Sequence, residues 1–595
     1  MAVAQAQVAT LLAAPHHDGS DAYVADRPEK AGGDAVVRLR VPRGTSVDTI
    51  GLRYVRDGEA RVVVAELDEE TDTETWWRAS LPALQNGTRY RWLLAGGDFG
   101  YAWLNGFGTI PYDVADADDF VFSLDSGGPA WHLGSVVYEI YPDRFATRGL
   151  GGEPPEWAIP RQWGELPTPR GWTSGREWFG GDLGGIEAHL DHVESLGANV
   201  LYLTPVFPAG STHRYDASSF DRVDPLLGGD AALDSLLRAA HARGLRVLGD
   251  LTTNHTGVGH EWFAAREPFY FFDDGLPHGY EAWMGVRTLP KLDWGSDELR
   301  RRMLAIARRW LDAGLDGWRI DVANMTGRLH GNDANADVAR ALRSVLTDDE
   351  LLLAEQFHDY RADVAPGLWH GVMNYSGFLK PAWSWLRRPD LEPELDLPIP
   401  LPQFTGEQSV ATMRAFRAGV PWQATLHSWA LLDSHDVARF RSVAGSRERH
   451  LVGIGLQMTT PGVPMVFAGD ELGLEGSWGE DGRRTMPWDA PASWDRALLD
   501  GYRRLIAIRR GSPALARGGI RYAYVDADVI CYLREAADER LLCLASRSAH
   551  APISLPLGHL GCRELEPVTG AEVSVAAGHA LLPADGPEFH IWRLV

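Results

Sequence analysis

Between residues 135 and 510 the sequence switches repeatedly between two hydrophobic periods, and this alternation limits the folds open to the chain more than any other feature. Strand-like apolar runs stand at SVVYEIYP (135–142), ANVLYLTP (198–205), LRVLGDLT (245–252), LDGWRID (315–321), ELLLAEQ (350–356) and VPMVFAGD (463–470). Between and after them lie helical stretches: GGIEAHLDHVESLG (184–197), DAALDSLLRAAHARG (230–244), SDELRRRMLAIARRWLDAG (296–314), NADVARALRSVLTD (335–348), SRERHLVGIGLQMTT (446–460) and SWDRALLDGYRRLIAIRR (493–510). Strands alternating with helices imply a parallel sheet covered by helices on its faces. One-to-one alternation, with charged residues after several different strands, predicts an α/β fold of the (β/α)8 (TIM) barrel type in preference to a doubly wound sheet. The aromatic-rich segment 257–294 is too long for a simple connection and predicts a subdomain inserted after the third strand.

A chain of 595 residues exceeds one hydrophobic core. Residues 1–125 read as short strands, VVRLRV (36–41), IGLRYV (50–55), ARVVVAEL (60–67), TWWRASL (75–81) and YRWLLAG (90–96), with turn-rich joints such as RDGE and QNGT. This pattern predicts an N-terminal β-sandwich over 1–125. The stretch DSGGPAWHLG (125–134) has linker composition, and the barrel is expected over 130–514. Residues 515–595 return to strand patterns such as VICYLRE and LLCLASR and predict a C-terminal β-domain.

A net charge of −24 argues against nucleic acid and anionic membrane as partners and favours a small or neutral ligand. No run of 18 apolar residues exists, so no membrane span is expected. The N-terminal run MAVAQAQVATLLAAP has no basic residue before Arg27 and lacks the positive start of a secretory signal. The three cysteines, Cys531, Cys543 and Cys562, form no disulfide framework, which fits a reducing, cytoplasmic setting. Tryptophan is abundant, and indole rings serve both cores and sugar stacking.

Three apolar runs lead into acids: Asp321 ends DGWRID, Glu355 ends LLLAE, and Asp436 follows WALLDSH. In a parallel barrel the C-terminal strand ends converge on one mouth. Buried charges are costly unless paired or used, and Arg319 and Asp321, two residues apart, share one face of their strand. With His255 and His435 nearby, the set suits cleavage of a glycosidic bond with retention. That chemistry needs an ionised carboxylate as nucleophile, which a neighbouring Arg favours, and a second carboxyl group holding its proton about 5–5.5 Å away. Asp321 beside Arg319 fits the first role, and Glu355 in an apolar strand near two other acids fits the second.

The stretches DLTTNH (250–255), GWRIDVAN (317–324), LLAEQ (352–356) and LLDSHD (431–436) resemble, in order and at the expected strand ends, the signature regions of the α-amylase family of retaining glycoside hydrolases. The resemblance continues through YEIYPDRF (138–145), FGGDLGGI (179–186), GVPMVFAGDELGL (462–474) and DGRRTMPWD (481–489), covering roughly residues 130–515. Within the family, HRYD (213–216), LPKLD (289–293), DVAN (321–324) and DFGYAWLNGFG (98–108) look most like the cyclomaltodextrinase, neopullulanase and maltogenic amylase group, including the cyclic maltosyl-maltose hydrolase type.

The resemblance implies hydrolysis of α-1,4 or α-1,6 glucosidic bonds in short or cyclic malto-oligosaccharides. Asp321 would be the nucleophile, Glu355 the acid/base, and Asp436 a binder and distorter of the reacting sugar. His255 and His435 would donate hydrogen bonds to that sugar, Arg319 would orient Asp321, Tyr215 would stack on the sugar, and Asn254 and Asp250 would support the mouth. It also implies a homodimer in which the N-terminal module narrows the partner's cleft. An α-glucosidase or transglycosylase of the same family is the alternative; a non-catalytic sugar-binding relative would have lost the acids that this chain keeps.

Two departures stand out. Relatives often follow DVAN with Glu, where this chain has Met325. Relatives also often bind calcium after DRF through Asn and Asp; here DRFATRGLGGEPPE (143–156) is poor in such oxygens and carries Arg148, so calcium is not favoured and no cofactor is expected, with Asn254 and Asp182 as the remaining oxygen donors. Lys291 is expected as a solvated surface lysine. The aromatics Trp262, Phe263, Phe269, Tyr270, Phe271, Phe272, Tyr280 and Trp283 are expected to divide between subdomain core and sugar subsites.

Overall fold

The computed structural model describes residues 11–125, 127–171, 173–391 and 399–595; the first ten residues of the N-terminal run lie outside them. Eight parallel strands close into a barrel: β1 (Val137–Ile140), β2 (Val200–Leu203), β3 (Arg246–Thr252), β4 (Gly317–Asp321), β5 (Leu351–Gln356), β6 (Gly371–Asn374), β7 (Trp429–Leu431) and β8 (Val463–Phe467), with β8 pairing back onto β1. The strands are apolar almost throughout because helices cover the outside and side-chain layers fill the inside. β6, within HGVMN, is too short to announce itself, and β7 is three residues of the run that ends in WALLDSH.

The helices follow their patterns. Asp297–Asp312 begins where the Ser296 hydroxyl accepts the Leu299 N–H, and buries Leu299, Met303, Ile306, Trp310 and Leu311 along one stripe. The single helix expected over 184–197 is two, Leu183–Ala188 and Leu190–Leu196. The break falls at His189, whose backbone leaves the helical region and whose ring Nδ1 bonds the Gly185 carbonyl at 2.9 Å. The residue opening GWRID must be glycine: a Cβ on Gly317 would lie 2.4 Å from the Leu351 carbonyl oxygen of the next strand.

Before the barrel, two antiparallel sheets enclose a core of Leu39, Leu52, Leu81, Trp92 and Phe122. One sheet orders Val24–Ala25, Asp34–Pro42, Glu74–Pro82 and Glu66–Glu70; the other runs from Glu59–Val64 through Thr49–Arg56 and Thr88–Gly96 to Gly100–Leu104. The stretch 59–70 therefore forms an edge of both sheets, and it leaves Val62, Val64 and Leu67 half or more exposed. After the barrel come a five-stranded and a three-stranded antiparallel sheet. Cys531 and Cys543 are buried in the first of these, and Cys562 is half-buried; all three are free thiols. Segment 125–134 carries the short helix Ala130–Leu133 and is tied to the barrel through Asp125, which binds Arg343 at 2.7 Å. No helix among the described residues is long and apolar enough to cross a membrane.

Candidate active site

Strand register builds the barrel mouth. Asp250 on β3 lies opposite Arg319 on β4, and Thr252 opposite Asp321. On the other side Ile320 pairs with Ala354, so one step further brings Asp321 against Glu355. Because side chains alternate faces, Asp250, Arg319, Asp321 and Glu355 all point inward near the C-terminal ends. The Arg319 guanidinium, fully buried, contacts three carboxylates at once: Asp250 at 2.9 Å, Asp321 at 3.2 Å and Glu355 at 2.9 Å. One buried cation thus offsets part of the cost of three neighbouring acids.

Val322, directly after Asp321, adopts φ +34°, a left-handed conformation that costs a β-branched residue about 1–3 kcal/mol. The turn aims its N–H at Glu355, which accepts it at 2.5 Å. Nothing in the DVAN stretch signals this strain in advance.

The third acid, Asp436, sits on the loop after β7 and is 28% exposed, the most open of the set. His435 Nε2 and Arg483 Nη2 each stand 3.2 Å from its two oxygens. His435 is held from behind by Glu139 of β1 through Nδ1 at 2.5 Å, and Arg483 is held by donating from Nε to the His435 carbonyl at 2.7 Å. Tyr215 reaches the mouth from the loop after β2; buried Arg214, at φ +62° and paired with Asp224 at 2.8 Å, sets the turn. The Tyr215 hydroxyl donates to Asp250 at 2.9 Å and meets His435 at 2.7 Å, while its ring lies near-parallel to those of His213 and His435.

On the opposite side, His255 is buried with Nε2 3.9 Å from Asp321, and its ring stacks on Trp283 with centroids 5.4 Å apart. Asn254 contacts His255 Nδ1 at 3.1 Å and accepts from Lys291. Lys291 is no surface lysine: it is 5% exposed, and its ammonium bridges Asn254 and the Met325 carbonyl, tying the insert to the loop after β4. Trp283 completes this wall by donating to the Met325 sulfur at 3.1 Å. The insert's other aromatics separate: Trp262, Phe269 and Tyr270 are buried in the core, with Phe263 and Phe272 packed against it. All nine residues given a role in the sequence therefore gather at one mouth, Trp283 is the aromatic of the insert that joins them, and Glu139 and Arg483 are additions.

Asp182 lies away from this group. Its carboxylate caps Leu183–Ala188 through Gly185 N–H at 2.7 Å and also accepts Arg148 N–H and Leu150 N–H, both at 2.9 Å. Backbone donors thus fold the 146–150 loop around this acid. Among the described residues no cluster of three or more His, Cys, Asp or Glu side chains has the geometry to hold a metal ion.

Burial and the facing Glu355 lift Asp321 well above the usual carboxylate range, against the pull of Arg319. Arg319 does pull it down, as expected from the sequence, but desolvation and like charge outweigh one guanidinium shared among three acids. Burial also raises Glu355, opposed by Arg319 and reinforced by Asp436. Two raised acids on one guanidinium titrate as a pair. Asp436 goes the other way: burial would raise it, but His435, Arg483 and Arg319 prevail and hold it ionised. Burial disfavours charge on His435, yet Asp436 and Glu139 outweigh it and raise its pKa. Burial and Lys291 depress His255 to about 3, so it stays neutral; burial brings Lys291 itself down to about 8.

The α-amylase catalytic domain profile matches residues 139–270 and 272–366, a span that runs from within β1 through β5 and includes both raised acids. A cyclomaltodextrinase from Geobacillus thermopakistaniensis is 30% identical over 542 residues, covering 84% of this chain and 85% of its own. The chain belongs to the α-amylase family. It is a glycoside hydrolase of that family, and the signature stretches noted in the sequence are those that line the mouth. Neopullulanase 2 of Thermoactinomyces vulgaris is 29% identical over 610 residues, with 96% of this chain and 97% of that one covered. The structure of cyclic α-maltosyl-(1→6)-maltose hydrolase from Arthrobacter globiformis, in complex with cyclic α-maltosyl-(1→6)-maltose, superposes with a TM-score of 0.65 at 29% identity, covering 78% of this chain and all of that one.

Proposed function

We propose that this α-amylase family enzyme hydrolyses α-1,4 or α-1,6 glucosidic bonds of short and cyclic malto-oligosaccharides with retention. Asp321 is the nucleophile, Glu355 the acid/base, and Asp436 the acid that grips the reacting sugar. The observation that carries this reading is the single Arg319 guanidinium in contact with both Asp321 and Glu355. Two carboxyl groups on one guanidinium at the C-terminal mouth, both raised by burial, suit the nucleophile-and-acid division of retaining hydrolysis. His255, neutral with an unpartnered Nε2, and His435 face the same space as hydroxyl-binding groups, Asn254 positions His255, and Tyr215, whose hydroxyl meets His435, stacks on the reacting sugar. The names of the relatives, cyclomaltodextrinase, neopullulanase and cyclic maltosyl-maltose hydrolase, support small and cyclic substrates. The test is the anomeric form of the first product from a cyclic maltosaccharide, followed by NMR. An α-anomer is expected, and a β-anomer would refute the assignment of the pair.

We further propose a cytoplasmic homodimer assembled through the N-terminal module. The half-exposed Val62, Val64 and Leu67 on the doubly used edge 59–70 support an interface there. A relative at 28% identity bears the name intracellular maltogenic amylase of Bacillus subtilis, and the free thiols agree with a reducing compartment.

A further inference from the structure

A cavity of about 290 Å3 opens where three parts of the chain meet: residues 11–18 and 104–109, the end of the helix Gly406–Arg417 with the turn to Trp422, and Ile520–Tyr522. None of the residues at the barrel mouth lines it. Its walls carry three arginines. Arg414 and Arg417, in the last turn of their helix, meet no carboxylate among the described residues, and Arg414 lies over the Tyr522 ring at 4.8 Å. Basic residues in a last turn complement the helix dipole. That explains their place on the helix, but not why two unpaired guanidinium groups face the same cavity in a chain of net charge −24.

Three further side chains on the wall are almost wholly buried, and each keeps an N–H without a partner: Asn105 Nδ2, Arg521 Nη1 and Trp422 Nε1, at 2%, 3% and 3% exposure. Two of these groups are fixed in place. The Asn105 oxygen already accepts from Phe107 N–H at 3.0 Å, and Glu535 holds the other Arg521 nitrogens at 2.9 and 3.1 Å. Buried donors without acceptors are costly, and so mark what a ligand would supply. The carboxylate on the wall, Asp18, is already engaged by Ser20 N–H at 3.0 Å and Ile520 N–H at 2.8 Å.

We propose that this cavity binds a small oxyanion carried on a sugar-sized polyol. Arg414 and Arg417 take the oxyanion, for which the planar guanidinium is the matching partner. Asn105, Trp422 and Arg521 donate to the remaining oxygens, and the rings of Phe107, Trp422 and Tyr522 offer apolar faces to the ligand's C–H surface. The volume suits one ring with its charged group, not an oligosaccharide. A neutral glucan fits less well, because it brings no negative charge to the two arginines. A phosphate monoester and a sugar carboxylate share the required chemistry.

The full-length protein would be titrated by calorimetry and thermal unfolding with glucose 6-phosphate, gluconate, inorganic phosphate and glucose. A saturable rise in Tm with glucose 6-phosphate or gluconate is expected, and whichever gives it identifies the source of the oxyanion. The Kd should weaken at least about tenfold in Arg414→Gln/Arg417→Gln, since one charge-assisted hydrogen bond contributes roughly that factor. Turnover of a short maltosaccharide without the anion should be unchanged in that variant. A second readout needs no variant: sulfate should raise the Kd of the bound oxyanion more than sodium chloride of equal ionic strength. The proposal fails if neither oxyanion binds saturably, if glucose binds as tightly, if the arginine substitutions leave the Kd unaltered, or if sulfate does not compete.

Discussion

At the scale of single residues, the mouth is a problem of distributing few protons among many acids. Burial and the charge of Asp436 disfavour ionisation of Glu355 and raise its pKa, with Arg319 opposing. Removing the neighbouring charge in Asp436→Asn should therefore lower the Glu355 pKa. The alkaline limb of kcat against pH, where the acid loses its proton, should shift to lower pH along with the fall in rate. A limb that stays in place or moves up would show that Asp436 does not act on Glu355. Asp321→Asn should cost at least about a thousandfold in kcat with the fold intact by circular dichroism, because an amide cannot form the glycosyl ester. Glu355→Gln should lose about 10²–10⁴ on natural sugars but much less on aryl glycosides whose leaving group needs no proton. Near-normal turnover of Asp321→Asn would end the assignment. The acids and Arg319 were legible in the sequence because charges interrupt apolar strands at their ends. Glu139 was not: it sits inside a strand, and its purpose, holding His435 from 296 positions away, exists only after the barrel closes. The direction of the Asp321 shift was hidden too, since it depends on how many acids share one guanidinium.

At the scale of elements, the loop after β1 shows a carboxylate organising backbone donors. Asp182 accepts three backbone N–H groups and the Thr147 hydroxyl, at 2.7–3.3 Å. Asp182→Ala should destabilise the protein by about 1–3 kcal/mol, read as a lower urea midpoint, because those donors are left without an acceptor. Added calcium should not restore the loss, and prolonged chelation of the unaltered enzyme should leave its rate intact. Activity that falls with chelator and returns with calcium would mean that the loop holds a cation after all. Strands β1 to β5 and β8 were legible as apolar runs bounded by helical periods. β6 was not, because four residues that include a glycine carry too little pattern. The break at His189 escaped because the apolar spacing runs through it; the side-chain bond to Gly185 that marks the break leaves no periodic trace.

At the scale of the whole molecule, the edge 59–70 of the N-terminal sheets is where the proposed dimer can be tested without removing the module. Val64→Glu with Leu67→Glu puts two charges on that edge and should halve the mass measured by light scattering. If the partner's module narrows the cleft, the same variant should gain kcat/KM on soluble starch relative to cyclic maltosaccharides. A monomeric unaltered chain, or a starch ratio unmoved by dissociation, would remove the idea. The sequence showed strands here but not which edges stay uncovered, since that depends on two sheets sharing one stretch of chain.

The cysteines lend this test an instrument. Burial drives the Cys531 thiol far above its usual range and Cys543 up to about 12, so neither reacts with maleimides or nitroxide reagents near neutrality. Cys562, half-buried and less strongly raised, is the position at which mildly alkaline labelling would attach one probe per chain. Dipolar spectroscopy on the labelled protein would then return a single inter-spin distance if two subunits associate with fixed geometry, and none if they stay apart.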